Sequence, residues 1–360
     1  MRVHVVDPSA FTPPYDHALC AGLARAGAEA ELITSRFDYG PRPPAEGFAV
    51  RETFYRHAPR RVGSVARRVA KLAEHGPDLL RYRPAGRAAD VVHVEWLAVP
   101  PLDAWLLPAG RRGLVYTAHN AAREGLGRAE RRICARAGAV IVHSEAARVE
   151  VEEHRAAPAE RVHVVPHGAF DFLADLPDER PLPPELAAVE GPVALCFGLL
   201  RPYKGIDVLL EAWRGVEGAE LWIVGAPRMD LAPLRAAAPP GVRFVPRFVP
   251  DPEVAAYFRR AGLVVLPHTR VDQSGAAFAA LAFGKPLLLT DVGGFPELAA
   301  TGAAALVPPG DPAALRVELT RLLADPDALA SMGAAAAAAA RGPYSWDAIA
   351  RRTLEIYDGL

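Results

Sequence analysis

At 360 residues the chain is too long for one ordinary core and suits two α/β domains of about 150 to 200 residues each. Forty-one basic residues against forty-two acidic ones leave no global field for nucleic acid or an anionic membrane, so any anion must be held locally. Cys20, Cys134 and Cys196 lack metal-ligand spacing and suit the reduced core of a cytoplasmic protein; no apolar run approaches the roughly 20 residues of a membrane span.

Taken in order, strand and helix patterns alternate. MRVHVVD opens with a strand over Val3 to Val6 and not with a signal peptide. Tyr15, Leu19, Leu23 and Ala26 then mark one helix face, closed by Gly27. A strand over Ala30 to Ile33 follows, then a less regular stretch from Arg36 to Arg87 with a basic helix around Val62 to Leu72. Strands recur at Val91 to Val94, Leu114 to Thr117, Val140 to Val142 and Val162 to Val165, which predicts a parallel, doubly wound sheet. From Phe170 to Pro192 the composition turns to Asp, Glu and Pro and reads as a linker.

A second sheet is expected from Val193 to Phe197, Leu221 to Val224, Val242 to Phe244, Leu263 to Leu266, Leu287 to Leu289 and Ala305 to Val307. The alanine tract 334–340 reads as helix. Ser345 caps a last helix with Trp346, Ile349, Thr353 and Ile356 or Tyr357 on one face.

The stretch Leu263 to Glu297 carries the strongest pattern: strand, polar loop, small-residue helix from Ser274, strand, and the Gly293-Gly294 turn leading to Glu297. In an open parallel sheet, ligands sit beyond the carboxyl ends of the strands, where helix N-termini offer unpaired N–H groups to anions. The loop Arg270 to Gly275 is therefore where a phosphate is expected.

The run Phe197-Gly198-Leu199-Leu200-Arg201-Pro202-Tyr203-Lys204-Gly205-Ile206-Asp207, the strand Leu221-Trp222-Ile223-Val224-Gly225 and the segment Leu263 to Glu297 resemble glycosyltransferase family 4. Tyr116-Thr117-Ala118-His119-Asn120, Val142-His143-Ser144 and Pro166-His167-Gly168 extend the resemblance more loosely into the first half. It implies an α/β GT-B fold, two doubly wound Rossmann-like domains facing across a cleft. The domains would be 1–170 on the acceptor side and 192–342 on the nucleotide-sugar side, joined by a linker at 171–191, with a helix at 343–360 crossing back to the first. It also implies a retaining, nucleotide-sugar-dependent transferase that needs no metal, in keeping with the absence of an Asp-x-Asp cluster.

By the same resemblance Arg201 and Lys204 contact the donor diphosphate. Charge develops on the β-phosphate as the sugar–oxygen bond breaks, so fixed cations and N–H dipoles there lower the barrier. The family usually has two glutamates eight positions apart; here those positions hold Val271 and Ala279. Asp272 or Gln273 then meets the sugar, while Ser274 and Gly275 offer a hydroxyl and an N–H to phosphate; alternatively Asp272 is a helix N-cap. Glu297 either replaces the missing ribose carboxylate or braces the glycine turn.

On the first half, His119 approaches the donor sugar or acceptor in the family, or is structural; Asn120 adjoins it, and His143 with His167 reads as structural turn. The first loop, Phe11 to Asp16, has prolines where many members have a glycine pair, which argues against a phosphate nest. Tyr15 and Asp16 either bind an acceptor hydroxyl or, for Asp16, complement the helix dipole. Glu95 and Trp96 form an acceptor platform or pack the core. Two other functions stay open: a nucleotide-sugar epimerase of the same fold, which would turn over donor without acceptor, and a non-catalytic partner subunit, which would explain both missing glutamates.

Overall fold

Runs of Val, Ile, Leu and Ala form strands covered on both faces, as parallel sheets require. The computed structural model describes residues 1–38, 44–121 and 126–360. The chain forms two units: Met1–Pro166 with Trp346–Leu360, and His167–Ser345. Each is Rossmann-like.

In the first unit the described strands are β1 (Arg2–Asp7), β2 (Glu29–Ser35), β3 (Ala49–Phe54), β4 (Val91–Val94), β5 (Gly113–Thr117), β6 (Ala139–Val142) and β7 (Val162–Val164). They pair in parallel in the order β3-β2-β1-β4-β5-β6-β7. The order reverses between β1 and β4, and the carboxyl ends of those two strands define the switch point where a doubly wound sheet binds ligands.

Two elements differ from expectation. Strand β3 has no counterpart in the sequence reading, because it is an edge strand whose Ala49 to Glu52 stay at least partly exposed; only Thr53 and Phe54 are buried. The basic helix runs over Val65–Ala88 and not Val62 to Leu72, continuing through Pro77 and Pro84. Proline removes a helix hydrogen bond, which is why the pattern reads as ending early. Ser64 accepts the Arg67 N–H and starts the helix.

The last helix, Trp346–Asp358, packs within this first unit against helix Pro13–Arg25. A Cβ on Gly22 would lie 2.8 Å from the Trp346 carbonyl oxygen, so the close approach of the two helices depends on glycine. Trp346, Ile349 and Tyr357 share a core with Tyr15, Leu19 and Leu23, and the Tyr357 hydroxyl reaches His93 Nδ1 at 2.5 Å.

The second unit contains β8 (Val193–Phe197), β9 (Glu220–Val224), β10 (Val242–Val245), β11 (Leu263–Leu266), β12 (Leu287–Thr290) and β13 (Ala304–Val307), ordered β10-β9-β8-β11-β12-β13. Its switch point lies between β8 and β11. Residues 171–191 belong to this unit and carry the short helix Pro184–Ala187, with Leu173 and Leu186 buried in its core. The alanine tract lies in helix Pro326–Arg341.

Candidate functional site

In the second unit, β8 ends at Phe197 and the chain passes through Arg201, a 3₁₀ turn at Pro202–Lys204 and Gly205 into helix Ile206–Trp213. Gly205 has φ +64°, and a Cβ there would stand 2.0 Å from the Pro267 carbonyl oxygen. Glycine therefore lets the loops after β8 and β11 touch, and Tyr203 O accepts the Thr269 N–H at 2.9 Å.

This geometry buries Lys204 to 7% exposure while, among the described residues, no carboxylate pairs with it or with Arg201. Burial lowers Lys204 to about 8; Cys196 opposes that fall and Arg201 adds to it. A buried ammonium without a counter-ion is costly, so the place is suited to an anion.

Two more polar groups gather there. Ser274 occupies the N-cap position of helix Gly275–Ala282, yet its buried hydroxyl makes no cap bond and has no partner among the described residues. The N–H groups of Gly275 and Ala276 precede the first intrahelical bond, which Ala277 makes to Ser274 O at 2.8 Å. His268, directly after β11, is fully buried with neither ring nitrogen partnered among the described residues. Burial, then the Lys204 charge, keeps it neutral. Sequence reasoning passed over His268, two residues before the Arg270 to Gly275 loop, because only the packing at the end of β11 shows its ring buried without a partner among the described residues.

Asp272 is 4% exposed and Gln273 half-buried on the loop before Ser274. The Asp272 carbonyl accepts the Gly294 N–H at 3.1 Å, tying this loop to the Gly293-Gly294 turn. A Cβ on Gly293, at φ +54°, would sit 1.8 Å from Val271 O, so only glycine permits the contact. Ser274, and not Asp272, is at the N-cap. Val271 and Ala279 are buried in the apolar core. Glu297 lies on the short helix Phe295–Ala299, near Tyr344, whose phenol is pushed up to about 12 by burial and then by Glu297.

The switch point of the first unit is built differently. Asp7, at the end of β1, accepts the N–H groups of Ser9, Phe11 and Thr12, so the loop donors are consumed internally. Asp16 beside it is 1% exposed; burial first, then the Asp7 charge, raises it well above the carboxylate range. Asp7 and Asp16 thus form a buried acid pair, both raised by burial. Tyr15 is buried with its ring edge-on to His119 at 5.2 Å.

After β4, Glu95 is fully buried and Trp96 stacks on His119, ring centres 4.3 Å apart and 4° from parallel. The Trp96 indole N–H donates to Thr12 Oγ1 at 2.8 Å, and the exposed Phe11 ring stands 5.4 Å away. Asn120, next to His119, is half-buried.

Proton positions follow from the acceptors. Val165 O can only accept, so His143 Nδ1, 2.9 Å away, donates, and the neutral ring then accepts at Nε2 from His119 Nδ1 at 3.1 Å. That leaves His119 Nε2 facing Glu95 Oε2 at 2.9 Å, with one proton between them. Burial raises Glu95, with His93 opposing, and lowers both His119 and His143 to about 3, so burial disfavours charge on all three. Both His119 ring nitrogens are thus engaged inside the protein. The chain Glu95, His119, His143 escapes sequence reading because three strands supply it.

One unit thus offers fixed positive charge and orphan donors, and the other a set of buried acids and histidines hydrogen-bonded to one another beneath an aromatic surface, with Asp16 Oδ2 left without a hydrogen-bond partner among the described residues. Among the described residues no group of His, Cys, Asp and Glu is arranged to hold a metal ion.

The profile of Glycosyltransferase Family 4 matches residues 15–169, and that of Glycosyl transferases group 1 matches residues 191–325. The D-inositol 3-phosphate glycosyltransferase of Jonesia denitrificans is 30% identical over 73% of this chain and 68% of its own length. That of Streptomyces bingchenggensis is 28% identical over 74% of this chain, the match spanning 64% of the relative. Among solved structures, sucrose-phosphate synthase from Thermosynechococcus elongatus superposes with a TM-score of 0.74 at 19% identity, covering 100% of this chain and 98% of that one. HepE of Anabaena, solved with UDP and glucose, gives 0.70 at 18% identity with both chains fully covered. The protein belongs to glycosyltransferase family 4.

Proposed function

We propose that the protein is a retaining glycosyltransferase that moves a hexose-like unit from a nucleotide diphosphate sugar to an acceptor hydroxyl. The observation that carries this reading is Lys204: an ammonium buried at a Rossmann switch point, beside Arg201, with no carboxylate paired to it among the described residues. A diphosphate supplies the missing negative charge, and the same cations stabilise the charge that grows on the departing β-phosphate. The Ser274 hydroxyl and the Gly275 N–H add neutral donors. Asp272 and Gln273 are the side chains this reading sets beside the sugar, with Glu297 for the ribose.

The acceptor side is assigned to the first unit, to Tyr15, Asp16, Glu95, Trp96, His119 and Asn120. Its buried acids suit an uncharged hydroxyl better than a phosphate, because the loop N–H groups that would bind an anion already serve Asp7. No metal enters the reading, since Arg201 and Lys204 provide the positive charge. Three buried, unpaired cysteines agree with a cytoplasmic setting, and no described helix is long and apolar enough to cross a membrane.

The test is a screen of UDP-, GDP-, ADP- and TDP-sugars against pooled acceptors, with products read by mass spectrometry and Lys204→Ala run beside the wild type. A sugar-extended acceptor, absent with the variant, supports the proposal. Donor converted to an isomer without acceptor makes the protein an epimerase. A donor that binds tightly yet is neither transferred nor hydrolysed makes it a partner subunit.

A further inference from the structure

Helix Val65–Ala88 carries a surface the proposed reaction does not use. Val65, Val69, Leu72 and Leu80 are 65%, 61%, 61% and 54% exposed. Isolated exposed apolar residues are ordinary, but these four are not scattered. At 3.6 residues per turn they fall within a sector of about 80°, along about 22 Å of the helix. Val62, 41% exposed, leads into the same stripe. The opposite side of the helix, with Arg67, Asp78 and Tyr82, is buried in the unit.

The charge around the stripe has one sign. Between Arg60 and Arg87 eight basic residues stand against two acidic ones, in a chain whose net charge is −1. Both acids are occupied inward: Glu74 accepts the His57 N–H, and Asp78 accepts the Tyr55 N–H and pairs with Arg81. Arg60, Arg61 and Arg68 are exposed, and no carboxylate pairs with them among the described residues. By the same helical spacing Arg83 and Arg87 continue the stripe's sector beyond Leu80.

An apolar strip bordered by unpaired arginines fits a bilayer whose surface is anionic: the branched side chains enter the headgroup region while the guanidinium groups meet lipid phosphates. We infer that helix Val65–Ala88 docks the first unit onto an anionic lipid surface, with Val65, Val69, Leu72 and Leu80 facing the membrane and Arg60, Arg61 and Arg68 pairing with headgroups. The overall charge balance excludes a diffuse attraction to membranes, so this contact is local to one helix. It does not rest on the transferase reading and is measured without donor or acceptor.

The experiment is co-sedimentation of the full chain with vesicles of phosphatidylcholine alone and of phosphatidylcholine with an equal share of phosphatidylglycerol, at low and high salt. The wild type should pellet with the anionic vesicles, and less as salt rises. Each arginine removed in an Arg60→Ser, Arg61→Ser, Arg68→Ser series should lower the partition about fivefold. Val69→Asp with Leu72→Asp should release the protein, and because both sites are exposed the fold should survive, as circular dichroism would show. Equal pelleting with neutral vesicles, or none with either, overturns the inference. So does a wild-type dimer that the Val69→Asp, Leu72→Asp pair makes monomeric with no vesicle binding, since a second copy would then cover the stripe.

Discussion

The two switch points share a topology and oppose each other in electrostatics. In the second unit Lys204, Ser274 and His268 are buried with polar groups left over. In the first, Asp7 takes three loop N–H groups, Asp16 is raised by burial and then by the Asp7 charge, and Glu95, His119 and His143 are linked by hydrogen bonds that end at Val165 O. The same β-strand architecture thus yields one site with buried cations and unpaired donors and one whose acids and histidines hydrogen-bond mainly to one another. Fold alone places a site; the side chains at the strand ends decide what charge it accepts.

The sharpest way to break this contrast is to remove the cations. Arg201→Ala and Lys204→Ala should each weaken nucleoside diphosphate binding by about 1.5–3 kcal/mol, or roughly 10- to 150-fold, leaving circular dichroism unchanged. Unaltered affinity in calorimetric titrations of both variants would falsify the assignment.

The first unit should respond in stability instead. Glu95→Ala strands His119 Nε2 in the interior, at a cost of about 1–3 kcal/mol. Glu95→Gln, whose amide can still donate to that nitrogen, should cost less than about 1 kcal/mol. Chemical denaturation of both variants measures the difference; equal losses would mean the network depends on a negative charge and not on a donated proton.

Acidity separates the units by sign. Lys204 is depressed from 10.5 to about 8, so the folded protein binds fewer protons than the unfolded chain between those values. Its contribution to stability without ligand should rise over that window, while diphosphate affinity falls as the ammonium is lost. Affinity independent of pH from 7 to 10 would show that Lys204 does not meet the anion.

The smallest effect concerns Glu297. If its carboxylate holds the ribose, the wild type should prefer a ribonucleoside diphosphate over the 2′-deoxy form and Glu297→Gln should prefer it much less. No preference in the wild type leaves Glu297 as a support of the glycine turn.

Most strands were legible because a parallel strand buried on both faces must be continuously apolar, as Val91 to Val94 and Leu263 to Leu266 are. The edge strand β3 has no such pressure on it and left no signal. Helix Val65–Ala88 was read short because local rules stop at Pro77, whereas packing of Leu79 and Tyr82 carries the helix through. At the sites, Arg201 and Lys204 sit in one run and could be read together. Asp7, His93 and His268 could not, because their significance comes from neighbours contributed by other strands and loops, such as Thr117 and Tyr357 around His93.

Helix Trp346–Asp358 belongs to the first unit although all of the second unit intervenes in the chain. On the ribosome, then, the first sheet is made before the second but stays uncovered over Tyr15, Leu19 and Leu23, and His93 waits for Tyr357 until all of the second unit has been translated. The second unit has every strand it needs before that helix is made and is able to close first, so the unit synthesised second should mature ahead of the one synthesised first. A released chain truncated after Ser345 should accordingly yield a protease-resistant fragment from residues 167–345, with cleavage concentrated before them.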